Sequence, residues 1–519
     1  MEGTIWAFLP AIVAIALALL TKQVYVSLFL GIFTGAMMYA SGNPLRALGT
    51  MFTVMSEQVG GNVSIIVFLV VLGIFVILMQ KSGGSRAYGD WAGNKIKSKN
   101  GALAATAGLG CLIFVDDYFN CLTVGSVMRP ITDKFKISHA KLSWIIDSTA
   151  APVCIIAPIS SWAAAVSGQL EGDGLVVFIK TIPFNVYALL TVIMIFTFAF
   201  LKLDFGKMKR NEEIAETTGD VNAGETDLAS DDDSTIVNNP NGKVRHLIVP
   251  VIVLILCCVG SMIYSGFFFN WDTGTYGTVP QSSNVIEAFS NCDAGSSLAI
   301  GSTIALVIVA IYYMIDKVVS FKEFTESFTQ GFKAMVPAIL ILTFAWSISG
   351  IMGAKGGYLD ARAFVQNNMS MIPDTLEAFF PAIFFILACA IAFSTGTSWG
   401  TFGVLVPIAV TILGGSGTLV VLTVSATLGG AVFGDHISPI SDTTILASTG
   451  GNCNHVDHVK TQLPYASLIA GISFVSYIVA GLLASVNGVV SCLVMWAVAL
   501  ALFVGAIVLI KLISKKKAQ

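Results

Sequence analysis

Long apolar segments dominate this chain and restrict the folds open to it. A helix needs about 20 mostly apolar residues to cross the hydrocarbon core of a bilayer. Hydrophobic residues make up 55% of the 519 positions and charged residues only 11%, whereas about a quarter of a soluble protein is charged. The sequence therefore predicts an all-α polytopic membrane protein. Apolar spans are expected near residues 5–20, 24–40, 63–80, 184–203, 246–268, 297–315, 334–352, 464–486 and 490–511.

Two further apolar regions are interrupted by polar residues. Region 101–166 is broken near 116–120 and again around Pro158, and region 378–448 is broken at 394–398 and at 433–444. The last break reads Phe-Gly-Asp-His-Ile-Ser-Pro-Ile-Ser-Asp-Thr-Thr, with two carboxylates and one imidazole. Polar groups inside a membrane are costly unless they are paired or hydrated. The breaks are therefore the first candidates for a functional site.

The two halves of the chain resemble each other. Four short motifs of the first half recur in the second, in the same order and at offsets between 273 and 281 residues. Four matches in the same order indicate an internal repeat, whereas a single match would be expected by chance. We therefore divide the chain into a first repeat (1–203), an acidic linker (204–245), a second repeat (246–488) and a C-terminal span with a basic tail (489–519). The motifs pair Gly83 with Gly356, Pro130 with Pro407, Pro158 with Pro439 and Lys180 with Lys460.

The distribution of lysine and arginine predicts the orientation, because these residues are enriched in cytoplasmic loops. Loop 81–100, the start of the linker and the C-terminal tail are basic, whereas loop 269–296 has no Lys or Arg. If the three basic segments lie in the cytoplasm, the two repeats cross the membrane with opposite topology. Region 101–131 becomes a re-entrant hairpin from the inside, and region 378–414 a hairpin from the outside. About 11 transmembrane helices follow from this tracing, and the acidic linker is expected to be disordered.

Composition argues against several functional classes. The net charge of −3, without a large basic patch, argues against nucleic acid as a partner. The nine cysteines are scattered without metal-ligand spacing, which is typical of small packing residues. No catalytic constellation stands out, and His455 and His458 are expected to be solvated in a polar inner loop. We therefore expect neither an enzyme nor a protein with a cofactor.

Inverted repeats with broken helices and opposed hairpins are typical of secondary transporters. Backbone that leaves the helix inside a membrane must be buried in protein or line a hydrated cavity. Carbonyl, hydroxyl and carboxylate oxygens are ligands for small cations, and a carboxylate can exchange a proton for a cation. The candidate ion- or substrate-binding residues are Asp116, Asp117, Asn120, Asp147, Thr395, Thr397, Ser398, Asp435, His436, Ser441, Asp442 and Thr443.

Structural roles stay open for several of these residues. Asp435 and Asp442 would also serve as helix caps, and His436 as a hydrogen-bonded core residue. A hydroxyl-rich tip such as 394–401 suits sodium, but it equally suits a carboxylate bound at helix N-termini. Arg129 would either anchor such a carboxylate or pair with a nearby aspartate.

The motif from Gly434 to Thr444 resembles the signature of the NhaC family of sodium/proton antiporters, and segment 397–401 resembles a second pattern of that family. The resemblance implies that Asp435, Ser441, Asp442 and Thr443 lie on the ion path, where they would hold sodium. It also implies a transporter that is often dimeric and moves a transport domain by an elevator-like shift. The wider superfamily includes carriers of citrate, dicarboxylates and malate or lactate, and relatives proposed to carry amino acids.

These expectations combine into one functional hypothesis and one alternative. The hypothesis is sodium/proton antiport across the inner membrane by alternating access, in which Asp435 or Asp442 releases a proton to make room for sodium. The alternative is a sodium- or proton-coupled carrier of an organic carboxylate or an amino acid, using the same residues. A homodimer in the lipid bilayer with a cytoplasmic C-terminus is expected in both cases. The transported ions are the only non-protein species that the hypothesis requires.

Overall fold

In the residues that it describes, the computed structural model is built from helices, apart from one antiparallel two-stranded sheet formed by Phe269–Asn270 and Thr275–Tyr276. Six helices of the described residues are long and apolar enough to cross a membrane, and up to nine spans result if each of three bent helix pairs is one span. The structure thus confirms an all-α polytopic membrane protein, while the number of about 11 spans stays a prediction. The structure describes residues 2–21, 23–170, 174–224, 239–270, 273–353, 358–368, 374–414, 417–439 and 441–518.

The apolar pattern did not predict the long helix α3 (Pro44–Gly61) of the first repeat. This helix, α3, follows α2 at an angle of 118° and begins with Pro44 after the cap Asn43, whose side chain accepts the Arg46 N–H. A 3₁₀ turn, Ile5–Phe8, precedes α1, and another, Ile182–Phe184, precedes α12. The helices are α1 (Leu9–Thr21), α2 (Val24–Tyr39), α3 (Pro44–Gly61), α4 (Val63–Lys81), α5 (Gly84–Lys95), α6 (Lys99–Leu112), α7 (Asp117–Lys134), α8 (His139–Thr149), α9 (Ala151–Cys154), α10 (Ser161–Ser167), α11 (Gly174–Thr181) and α12 (Val186–Leu201).

The rest of the chain adds a linker helix, the second repeat and a final helix. The order of hairpin, broken helix and long helix in α20–α24 matches that in α6–α12. The helices are α13 (Gly206–Thr218), α14 (Arg245–Phe268), α15 (Val285–Ser290), α16 (Ala294–Ile315), α17 (Phe321–Met352), α18 (Ala361–Asn368), α19 (Asp374–Glu377), α20 (Phe380–Thr395), α21 (Ser398–Leu413), α22 (Thr418–His436), α23 (Asp442–Gly451), α24 (His455–Leu483) and α25 (Gly488–Ala518).

The four predicted breaks are all present. The first hairpin, α6–α7, turns at residues 113–116, and the second, α20–α21, turns at Gly396 and Thr397. Gly396 adopts a left-handed conformation with φ of 69°, which costs glycine little and ends α20 abruptly. The broken helices are interrupted at 155–160, between α9 and α10, and at 437–441, between α22 and α23.

The two hairpins open toward opposite ends of the molecule. Lys99, at the open end of the first hairpin, forms an ion pair with Glu212 of α13. Asp457, in the first turn of α24, forms another with Lys207 of α13. At the far end of α24, Gly481 packs against the Ala378 backbone beside the open end of the second hairpin. The first hairpin therefore opens at the end of the molecule where α24 begins, which we name the α13 end. The second hairpin opens at the other end, where α24 ends. The two repeats are therefore inverted relative to each other.

The linker is not disordered throughout, contrary to the expectation. Its first part forms α13, held by charges on three other helices. Glu212 is buried, accepts the Ser138 N–H at 2.8 Å and lies 2.9 Å from Lys99. The buried ammonium group of Lys141 pairs with Asp204 just before α13. The expectation of disorder is therefore wrong for 206–218, because opposite charges on α6, α8 and α24 hold this stretch. Residues 225–238, with the Asp231–Asp233 run, lie outside the described residues.

Candidate functional site

The helices that start at the breaks are capped inside the protein. Ser160 caps α10, Thr397 caps α21 and Ser441 caps α23, each accepting a backbone N–H three residues further on. These caps accept hydrogen bonds from backbone N–H groups that would otherwise be buried without an acceptor. These three breaks therefore each present a helix N-terminus, with its partial positive charge, to the interior. Thr397 and Ser441, predicted as binding residues, have at least this structural role.

Asp147 is the centre of a dense group of hydrogen bonds and is fully buried on α8. Its Oδ2 accepts from Gln462 Nε2 at 2.6 Å and from Thr444 Oγ1 at 3.1 Å, and lies 3.3 Å from His458 Nε2. Its Oδ1 has no hydrogen-bond partner among the described residues, although His436 Nε2 lies 3.9 Å away. In the part of the chain that is described, the ionisable partners within 4 Å of the Asp147 carboxylate are thus two imidazoles, with no Lys or Arg.

The two imidazoles flank the Asp147 carboxylate from different helices. His436 ends α22, and its Nδ1 is 2.9 Å from the hydroxyl of Tyr187. His458, on α24, is fully buried, and its Nδ1 has no hydrogen-bond partner within the described ranges. Gln462 Nε2 also donates to the His436 carbonyl at 2.7 Å, so one amide fixes both the carboxylate and the end of α22. The Asp147 carboxylate therefore lies between two imidazoles that come from α22 and α24.

Asp435 forms a second group beside the start of α23. Thr443 Oγ1 donates to Asp435 Oδ2 at 2.7 Å and lies 3.3 Å from Ser441 Oγ. All three side chains are fully buried. Carboxylate and hydroxyl oxygens are hard ligands of the kind that small cations prefer. The structure thus brings together three of the four residues predicted to hold sodium. The fourth, Asp442, begins α23, but its side chain lies outside the described residues.

The tip of the first hairpin contacts the second repeat through Asp117. Its Oδ2 accepts the indole N–H of Trp162 at 2.9 Å and that of Trp399 at 3.4 Å. The two indole rings have centroids 5.4 Å apart, and one comes from each repeat. Asp117 and its neighbour Asp116 are both buried. The two indoles orient the Asp117 carboxylate and place it where the breaks of both repeats meet.

Asn120 has a structural role at the same tip. Its Nδ2 donates to the carbonyls of Gly110, Ile113 and Thr149, at 2.7 to 3.0 Å, and so closes the hairpin onto the end of α8. Thr149 is the last residue of α8 and lies two positions after Asp147. The Asn120 Oδ1 has no hydrogen-bond partner among the described residues. One oxygen of this predicted residue is therefore available to a bound species.

The tip of the second hairpin offers one hydroxyl to a ligand. Thr395 Oγ1 donates to the Ile391 carbonyl at 2.8 Å within α20, and Thr397 caps α21. Ser398 is fully buried, and its Oγ has no hydrogen-bond partner in the described ranges. Arg129, weighed as a carboxylate anchor, is twelve positions beyond Asp117 on α7, or roughly 18 Å along the helix. The structure does not bring it to the tips.

Six residues of the site were not among the predicted binding residues: Tyr187, Trp162, Trp399, Thr444, His458 and Gln462. The expectation of a solvated His458 is wrong, since α24 begins at His455 and buries His458 against Asp147. A signal for two of them was available. His458 and Gln462 are four positions apart, and such residues share a face of one helix. The contacts of Tyr187 and the tryptophans join distant parts of the chain and have no local signal.

His139 joins three segments at the α13 end and provides a pH-dependent contact. Its Nε2 is 2.9 Å from Asp133 Oδ1, and its Nδ1 is 2.8 Å from the Asn452 carbonyl. Burial works to lower the pKa of His139, but the hydrogen bond and charge of Asp133 outweigh it, so the pKa lies above its ordinary value. The protonated contact therefore stabilises the fold fully below the ordinary imidazole pKa, and its contribution is lost as pH rises through the raised pKa.

We expect His139→Asn to destabilise the protein by about 1 kcal/mol at about pH 6 and by less at about pH 9. The apparent unfolding temperature of the purified protein in detergent, measured across this range, checks the prediction. His455→Asn is the matched control, because its imidazole contacts the Ser448 hydroxyl and the Pro439 carbonyl. If the loss of stability caused by His139→Asn instead grows as pH rises, the protonated His139–Asp133 contact is not the cause.

Comparison with known sequences places the chain in a family. The model of the Na⁺/H⁺ antiporter family matches residues 174–482, which is more than half of the 519 residues. The chain belongs to the Na⁺/H⁺ antiporter family. This confirms the resemblance seen in the motifs and identifies a secondary transporter rather than an enzyme. Asp435, His436 and His458 lie within the matched region, whereas Asp117 and Asp147 precede it.

Individual relatives of this antiporter-family protein differ in what their names state. An uncharacterized protein of Haemophilus influenzae is 38% identical over 504 residues, which cover 92% of this chain and 91% of the relative. The arginine/ornithine antiporter ArcD of Halobacterium salinarum is 39% identical over 117 residues, 22% of this chain and 24% of that protein. The malate-2H(+)/Na(+)-lactate antiporter of Bacillus subtilis is 32% identical over 175 residues, 33% of each. Among solved structures, the YdaH transporter of Alcanivorax borkumensis has a TM-score of 0.42 and 16% identity, covering 85% of this chain and 88% of that one.

Proposed function

We propose that the protein exchanges sodium for protons by alternating access. The observation that carries this proposal is the environment of Asp147. A fully buried carboxylate is costly unless its charge is balanced, and the ion-pair partners of Asp147 among the described residues are imidazoles. Imidazoles gain and lose protons near neutral pH. In our proposal, protons taken up and released here change the charge of this group, as a proton-carrying site requires.

The proposed sodium site is the neighbouring group of Asp435, Ser441 and Thr443, with Asp442 as a further expected ligand. Thr444 connects the two groups, since its Oγ1 is 3.1 Å from Asp147 Oδ2 and 3.3 Å from the Asp435 carbonyl. A cation at Asp435 therefore changes the field at Asp147 through a short polar path. In our proposal, sodium binding at Asp435 favours proton release from the Asp147 group, and the reverse holds on the other side of the membrane.

The proposed movement is an elevator-like shift of the hairpins and broken helices as one body. Several contacts join elements of both repeats within this body. The Trp162 and Trp399 rings pack together, α7 packs on α23 at Gly125 and Gly450, and His139 reaches the Asn452 carbonyl. Helices α1–α4 and α14–α17 would form the stationary part. A homodimer in the inner membrane with a cytoplasmic C-terminus completes the proposal.

The second candidate is a carrier of an organic carboxylate or an amino acid, coupled to sodium or protons. Two local matches favour it, because one relative is named for arginine and ornithine and another for malate and lactate. The buried Ser398 hydroxyl, next to the N-terminus of α21, would then accompany the substrate carboxylate.

A proteoliposome assay with a trapped pH-sensitive dye separates the two candidates. We expect a sodium pulse to move protons out of vesicles with reconstituted protein, saturably and with no organic solute present. Vesicles without protein are the control. A pulse that moves no protons, together with accumulation of labelled arginine or malate, would replace the first candidate by the second.

A further inference from the structure

A polar cavity of about 170 Å³ lies away from the Asp147 and Asp435 groups. It is bounded by the end of α3, the end of α10 and the last turns of α17, with residues of both repeats in its wall. Helix α4 begins at this cavity and ends at Lys81, beside Glu323 at the start of α17, so the cavity lies at the opposite end of α4 and α17 from Lys81. Gln169 lines it a few positions after α10, so at about 1.5 Å per helical residue the cavity is roughly 10 Å from Trp162.

Two buried side chains in the wall have polar atoms without partners. The amide of Gln169 is 7% exposed, and neither its Nε2 nor its Oε1 has a hydrogen-bond partner among the described residues. The indole of Trp346 is 2% exposed, and its Nε1 is likewise unpartnered within those ranges. Buried polar groups in proteins are almost always hydrogen-bonded, and leaving one unmet costs about 1–3 kcal/mol. Two such side chains facing one cavity indicate a site built for a ligand.

The charge of the wall restricts the chemistry of that ligand. Glu57 is the only charged residue among those described in the lining, and the Tyr358 hydroxyl donates to its carboxylate at 2.8 Å. A purely anionic solute would meet this carboxylate with no Lys, Arg or His in the described lining to balance it. A bare cation would satisfy Glu57 but leave the N–H groups of Trp346 and Gln169 unmet. A solute with both an ammonium and a carboxylate satisfies all three.

We propose that this cavity binds a small zwitterionic solute of the α-amino acid class. Its ammonium group lies against Glu57, and its carboxylate accepts from Trp346 Nε1 and Gln169 Nε2. The volume matches about five or six water molecules at roughly 30 Å³ each, which is room for a small amino acid. The site goes beyond sodium/proton exchange and does not depend on it, since none of its residues belongs to the Asp147 or Asp435 groups.

Calorimetric titration of the purified full-length protein with the twenty standard L-amino acids tests the proposal. We expect at least one to bind, and its matched amine and matched carboxylic acid to bind at least about tenfold more weakly, since each lacks one charge-assisted contact. Because the titration contains no ion gradient, its outcome is separate from that of the exchange assay. If no amino acid binds, or if the amine binds as tightly as the amino acid, the proposal is wrong.

The variant Gln169→Leu tests the position of the site, because amino acid affinity and apparent unfolding temperature should change in opposite directions. Losing the amide should weaken amino acid binding about 10- to 100-fold, while removing an unpartnered buried group should raise the apparent unfolding temperature. Gln80→Leu is the matched control, because the Oε1 of Gln80 is also buried and unpartnered among the described residues but lies on α4 near Lys81. Trp346→Phe, which removes only the N–H donor and ring volume beside it, serves if Gln169→Leu does not fold. Undiminished binding in Gln169→Leu, or in Trp346→Phe where that variant is used, overturns the assignment.

Discussion

Replacing Asp147 with asparagine is expected to reduce sodium-driven proton movement by about 100-fold or more, since the variant lacks the carboxylate that the two imidazoles share. The fold should persist, because the asparagine Oδ1 can accept the same hydrogen bonds from Gln462 and Thr444 that Asp147 Oδ2 accepts. Proton movement is measured with the trapped dye in proteoliposomes, and folding by the elution profile and the apparent unfolding temperature in detergent.

Asp90→Asn provides the control for this experiment. Asp90 is exposed on α5, so the same chemical change there should leave exchange unaltered. His458→Gln is a useful companion, because it removes one protonatable neighbour and keeps an amide donor toward Asp147. We expect it to retain some exchange with a changed pH profile. If Asp147→Asn exchanges sodium for protons at the rate and pH dependence of the unaltered protein, Asp147 is a structural residue and the proton carrier lies elsewhere.

The breaks were predictable because their causes are local. Gly396 and the hydroxyl caps Ser160, Thr397 and Ser441 act within a few residues of their own position, and the sequence shows them directly. Long apolar runs then fix where the helices between the breaks lie. The hairpins at 101–131 and 378–414 follow from these two signals, and charge bias in the loops supplied their opposite direction.

The composition of the site was less predictable, because its contacts are long-range. Asp147 and Gln462 are 315 positions apart, and Tyr187 and His436 are 249 apart. Nothing near His458 in sequence reveals that its face of α24 meets α8. Polar residues at a helix start look like a loop until the partner helix is known. The same reasoning explains α13, whose acidic and basic residues resemble a solvated linker until Lys99, Lys141 and Asp457 are placed beside them.

One crossing between the repeats shows how closely the two halves depend on each other. Helix α7 of the first hairpin passes α23 of the second broken helix at Gly125 and Gly450. A Cβ on Gly125 would lie 2.5 Å from the Gly450 Cα and its carbonyl oxygen, closer than real Cβ atoms approach. A few positions along the same interface, the Cys121 thiol faces the Thr443 carbonyl at 3.7 Å. The spacing of these two backbones thus sets where Thr443 lies relative to Asn120 and Asp147.

Gly125→Ala is therefore expected to destabilise the protein by about 1–3 kcal/mol, because the obstructing atoms are backbone and cannot rotate away. Exchange should fall with it, since the added methyl group pushes α23, with Thr443, away from α7. Gly108→Ala on α6 is the matched control, because a Cβ there meets nothing within 4 Å and alanine favours helix over glycine by about 1 kcal/mol. The two variants should thus shift the apparent unfolding temperature in opposite directions. Equal shifts would mean that the crossing is looser than described, and the two repeats would then not move as one body through this contact.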